Sequence, residues 1–232
     1  MIIYLKELKH YFFNPFGYIV VVVASLLANA LFLRDIYAVG LVSMRQYFLI
    51  MYWVFVLLIP ALCMRSFAEE RKTGTIESLL TLPLSEKTIA FAKALAVLTV
   101  LGIVMISGLV IPVSFAFLSG LYLPEVVVGY VGLIATAMLF ISVSLYISLK
   151  TSNQVIAFFL SAIVLFCVSI FSVDTVASFI PRTIAAIAES LTPYAQLEQF
   201  VRGIIDLRAI LYFTSFIAVS MYAVVKQLEH RD

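Results

Sequence analysis

Residues 126–149 read VVVGYVGLIATAMLFISVSLYISL, a run free of Asp, Glu, Lys, Arg and His. A hydrocarbon layer about 30 Å thick needs roughly 20 apolar residues at about 1.5 Å each, so this run predicts a transmembrane helix. Its apolar residues are continuous rather than alternating, which excludes a barrel strand. Residues 16–33, 47–64, 94–120, 155–173 and 209–225 share this character, and none of them carries an ionisable acid, lysine, arginine or histidine. The expected fold class is an all-α polytopic membrane protein with six transmembrane helices in a single domain over 1–232.

Composition agrees. Of 232 residues, 64% are hydrophobic and 12% charged, with a mean hydropathy of +1.13. Soluble domains carry about 25% charge, so this chain cannot dress a globule in a wettable surface. Disordered chains are poor in apolar residues, which excludes disorder. A net charge of +2 gives no reason to expect nucleic acid. Cys63 and Cys167 fall inside apolar runs and read as packing residues rather than as a disulfide or metal site.

Basic residues flanking the spans set the orientation. Lys6, Lys9, Arg65, Arg71, Lys72, Lys87, Lys93, Lys150, Lys226 and Arg231 fall on one side; Arg34, Arg45, Arg182, Arg202 and Arg208 fall on the other. The first side is expected to be cytoplasmic, and it holds both termini. Lys6 and Lys9 ahead of a run ending in Ala28-Asn29-Ala30 also resemble a secretory signal. The long polar lead containing Glu7 favours retention as a membrane helix.

Between the spans, residues 1–15 form a helical pattern of their own. At 100° per residue Tyr4, Leu5, Leu8, Tyr11 and Phe12 share one face, with Lys6, Glu7, Lys9 and His10 opposite. This suits a helix lying in the headgroup layer. Asn14-Pro15 breaks it before the first span.

The segment 65–93 concentrates charge: Arg65, Glu69, Glu70, Arg71, Lys72, Glu77, Glu86, Lys87 and Lys93. A helix from Thr75 to about Leu82, capped by the threonine and stopped by Pro83, exposes Ile76, Leu79 and Leu80 on one side. Such a face calls for a protein partner, the alternative being a solvated loop. Ser85 begins a second cap signature leading into the third span. On the outer side, 174–208 is long and amphipathic, with apolar residues at helical spacing on both sides of Pro193. It predicts a pair of short helices dipping back against the bundle.

Much chemistry is excluded. No glycine precedes a lysine, so no phosphate-cradling loop exists. His10 and His230 stand at opposite ends, and no ionisable residue lies at membrane depth to drive ion coupling. Any energy must come from another chain. Within the first span, Ser25 and Asn29 are polar, and the Asn29 amide needs a partner in hydrocarbon. These two residues are candidates for a pathway or a subunit seam.

The run from Met64 to Ser85, MRSFAEERKTGTIESLLTLPLS, resembles the ABC-2 type permeases, in particular those of gliding-motility and nitrous-oxide-reductase-maturation transporters. The run FVRGIIDLR over 200–208 is similar to the same group. The resemblance implies a cytosolic coupling helix between the second and third spans that docks on a separate ATPase. Matching positions are Glu69, Glu70, Arg71, Lys72, Thr73, Gly74, Thr75, Ile76, Glu77, Leu79 and Leu80. The turn Lys150, Thr151, Ser152, Asn153 is implied as a second contact. It further implies a dimer of six-span halves, most simply a homodimer, in the inner (plasma) membrane. Two ATPase copies would hold ATP and magnesium, with no cofactor, metal or catalysis in this chain, and the outer segment would be a re-entrant hairpin. The expected function is export driven by the partner's ATP hydrolysis, with Glu69 and Glu70 pairing to the partner or to Arg71. An ion-coupled carrier or channel acting alone, or a scaffold for an extracytoplasmic partner, are the alternatives.

Overall fold

The computed structural model describes residues 2–39, 44–76, 85–110, 114, 123–172 and 189–230. Among the described residues nine α-helices follow in order: α1 (Ile2–Phe13), α2 (Pro15–Val39), α3 (Arg45–Cys63), α4 (Ala68–Lys72), α5 (Glu86–Gly108), α6 (Leu123–Lys150), α7 (Gln154–Ser169), α8 (Pro193–Val201) and α9 (Leu207–Glu229). Six of them, α2, α3, α5, α6, α7 and α9, are long and apolar enough to cross a membrane, as the apolar runs predict. No strand occurs among the described residues.

Local sequence explains where these helices begin. Pro15 opens α2, where its missing N–H is no loss. Ser85 Oγ accepts from Thr88 N at 3.4 Å and caps α5. Asn153 caps α7 through Val155 N at 2.9 Å, Thr192 caps α8 through Ala195 N at 3.2 Å, and Asp206 caps α9 through Arg208 N at 2.9 Å. Each cap satisfies a donor that a helix start leaves orphaned.

Helix α6 is the hub, packing against α3, α5, α7, α8 and α9. It serves this role because it is lined with small residues. Lipid is as apolar as any core, so membrane helices gain association energy from close approach rather than from leaving water. Gly132 shows the limit: a Cβ there would stand 2.7 Å from Phe200 Cβ and 2.9 Å from Leu197 Cδ1 of α8. Two hydroxyls on α6 are satisfied locally, Thr136 donating to Gly132 O at 2.9 Å and Ser142 to Leu139 O at 2.7 Å. Ser142 also meets Ser220 of α9 at 2.8 Å.

Against this hub α3 lays a buried aromatic stripe, Tyr47, Phe48, Tyr52 and Phe55. Tyr52 packs edge-on against Phe140 and Tyr194, with ring centroids 5.4 and 5.2 Å apart, and its hydroxyl reaches Ser169 Oγ at 2.6 Å. Helices α3, α5 and α6 are mostly buried, whereas α2, α7 and α9 turn exposed faces outward, including Val22, Leu26, Phe159, Ile163, Phe216 and Val219.

At the end opposite the termini, α8 is fastened down. Arg45 pairs with Glu198, which also holds Arg202 at 3.2 Å, and Glu125 Oε1 accepts from Arg45 N at 2.8 Å. Tyr212 of α9 donates to Leu191 O at 2.8 Å. Of the outer segment expected to be a re-entrant hairpin, residues 174–188 lie outside the described residues. Those that are described include α8, which lies against α6 with Pro193, Leu197, Phe200 and Val201 buried.

Candidate functional site

At the end that carries both termini, three segments distant in sequence converge on one lysine. Lys93 lies two turns into α5 and is 1% exposed. Its ammonium donates to Glu7 Oε1 of α1 at 2.8 Å, to Glu70 Oε1 of α4 at 3.0 Å and to Ser66 O at 2.6 Å. Three acceptors saturate three N–H donors, which is what an ammonium needs in a dry site. The Phe67 ring lies beneath the charge, its centroid 4.8 Å from Nζ.

The backbone feeding this cluster is tied down as well. The Phe67 and Ala68 N–H groups open α4, and both donate to Ser148 Oγ of α6, at 3.3 and 3.2 Å. Tyr11 donates to Leu62 O at 2.9 Å and approaches Ser66 Oγ at 3.4 Å. Burial pushes the Tyr11 phenol above its ordinary value, so it remains a neutral donor. At the far end of α4, Thr73 donates to Glu69 O at 2.9 Å. Gly74 then turns the chain at φ 71°, a conformation that costs glycine nothing. A cleft of about 240 Å³ opens beside the cluster, lined by Lys6, His10, Arg65, Glu69, Thr73 and Thr75 among others.

The result is a mechanical joint. These contacts tie α4 to α5 through Glu70 and Lys93, α5 to α1 through Glu7, and α4 to α6 through Ser148.

The residues from Ile2 to Val225, from the first helix into the last, match the family model described as ABC-2 family transporter protein. The chain belongs to the ABC-2 transporter family. No curated protein matches it. It is thus a multi-pass membrane component of an ABC-type transporter.

The structure places the ABC-2 motif residues in two groups. Glu69, Lys72, Thr73, Gly74 and Thr75 are exposed or partly exposed, with Arg71 and Ile76 half-buried. His10 Nε2 lies 4.0 Å from Glu69 Oε2. Glu70 differs: its Oε1 lies 3.0 Å from the ammonium of Lys93, a partner that the motif reading did not include. Glu77, Leu79 and Leu80, with most of the helix expected from Thr75 to Leu82, lie outside the described residues. Helix α4 packs against both α6 and α7, which brings it to the turn Lys150, Thr151, Ser152, Asn153 joining them. Asn29 Nδ2 donates to Ser25 O at 2.8 Å, while its Oδ1 is buried with no hydrogen-bond partner among the described residues. Both stand at the edge of the buried stripe Ala24, Ala28 and Phe32, beside the exposed face of α2.

Sequence reading missed the centre of the joint. Lys93 counts there as one flanking positive charge, and Glu7 is placed on the solvent face of α1. In the structure Ile3, Glu7 and Tyr11 form the buried stripe, while Leu5 is 46% exposed. One signal was available: Lys93 is embedded in AFAKALA, where a lone cation on a helical apolar run demands a buried acid.

Proposed function

We propose that this chain is the permease half of an exporter, driven by ATP hydrolysis in a separate subunit that docks on α4 and the segment following it. The observation that carries this reading is the Lys93 joint, which gives a docking element at the surface rigid connections to three helices of the bundle. Closure of the ATPase pushes Glu69, Arg71, Lys72 and the residues through Leu80. The Lys150–Asn153 turn takes the second contact. Because the joint does not yield, the push rotates the six-helix half as one body and alternates access at a seam with a second copy. Ser25 and Asn29, on the edge of α2, supply that seam. ATP and magnesium reside in the partner, two copies of which serve a homodimer in the inner membrane with both termini in the cytoplasm.

The test uses the complex co-purified with its ATPase in nanodiscs. Glu69→Lys with Lys72→Glu should weaken capture of the ATPase, since those side chains face outward. Lys93→Gln should retain capture but abolish the nucleotide-dependent distance change between spin labels on the two permease copies. Normal capture and normal motion in both variants would overturn the reading. Substrate flux by the chain reconstituted alone would favour a self-sufficient carrier or channel instead.

A further inference from the structure

We infer that the groove between α1 and α5 binds one anionic phospholipid. The groove encloses about 520 Å³ and is walled by Tyr4 of α1 and by Lys87, Phe91, Leu95 and Thr99 of α5. The four α5 residues recur every fourth position and therefore share one face of the helix. At about 1.5 Å per residue that face runs roughly 18 Å inward from the lysine, about the depth of one leaflet's hydrocarbon.

The chemistry of the groove changes along this length. Lys87 stands exposed in the first turn of α5, and no carboxylate pairs with it among the described residues. Glu86 does not line the groove. Farther in, Phe91 and Leu95 are each 47% exposed. At the deep end Thr99 donates to Leu95 O at 2.8 Å and meets the Tyr4 hydroxyl at 3.0 Å, so its polar atoms are already engaged. A cationic mouth at a helix N-terminus above an apolar floor complements an anionic headgroup with an acyl chain beneath it. A soluble anion would leave Phe91 and Leu95 uncovered, and a zwitterionic lipid would leave Lys87 without a counter-charge. Lys93 is buried toward Glu7 and Glu70, so the lipid would brace α1 against α5 from outside the ion-paired joint. The inference does not depend on an ATPase partner.

Native mass spectrometry of the full-length protein tests it, using nanodiscs of equal parts phosphatidylglycerol and phosphatidylcholine. The wild type should retain one phosphatidylglycerol per chain in preference to phosphatidylcholine. Lys87→Arg should keep it, and Lys87→Gln should cut its retention about five-fold, the factor one lysine contributes at a membrane surface. Leu95→Trp should displace the lipid with the charge intact by filling the floor. Equal retention of both lipids by the wild type overturns the assignment, as does undiminished phosphatidylglycerol on Lys87→Gln. Dimers that bury the groove and carry no lipid overturn it too.

Discussion

Lys93 Nζ lies 2.8 Å from Glu7 Oε1, an ion pair between residues 86 positions apart that closes the N-terminal helix onto α5. A second carboxylate, Glu70, reaches the same ammonium at 3.0 Å. Removing the lysine therefore strands one buried acid, Glu7, and one half-buried acid, Glu70. Breaking a buried pair from one side costs about 3–5 kcal/mol, because the remaining charge is uncompensated. Lys93→Met should lower the melting temperature by on the order of 10 °C. Adding Glu7→Gln and Glu70→Gln should restore most of that loss, since neutral amides remove the stranded charge. A single variant melting within about 1 °C of wild type would show that the joint carries no load.

Ser148 makes a more local prediction. Its hydroxyl accepts from the two backbone N–H groups that open α4. Ser148→Ala leaves those donors buried and unmet, at about 1–3 kcal/mol. Hydrogen exchange should accelerate over residues 67–76 while the exchange of α3 and α6 stays as it was. Uniform protection across the chain would refute the anchoring role.

Two glycines should respond in opposite directions. Gly132→Leu drives a side chain into Phe200 and Leu197 and should cost about 1–3 kcal/mol by lifting α8 from α6. At Gly102 nothing lies within 4 Å of an added Cβ. Gly102→Ala should be neutral or should stabilise by about 0.5–1 kcal/mol through helix propensity. Thermal melts of the two variants side by side check the packing at both positions.

The Arg45–Glu198 pair is the surface counterpart of the buried joint, with side chains 44% and 27% exposed. Solvent screens it, so a double-mutant cycle should return about 0.2–1 kcal/mol, falling as salt rises. The Lys93 cycle should barely respond to salt. Equal salt sensitivity at both pairs would contradict their difference in burial.

Particular residues show how far the sequence could be read. Ser85 announces the start of α5 and Pro15 that of α2, because capping and ring geometry act within one turn. The six spans follow from unbroken apolar length. The face of α1 that packs inward does not follow. In water the apolar face of a helix points to the core, whereas at a membrane both lipid and protein accept it. Leu5 can thus remain exposed while Glu7 turns inward to meet Lys93. Glu70 likewise belongs to a motif whose charges look equivalent, and only its neighbours separate it from Glu69.

Covalent sequence alone determined the number of membrane helices, the Ser85 cap of α5 and the family motif, since each depends on residues within one helix or turn. Tertiary structure decided which charges became a joint. A buried ammonium is tolerable only where several distant segments each contribute an acceptor, and no local pattern specifies which segments will meet.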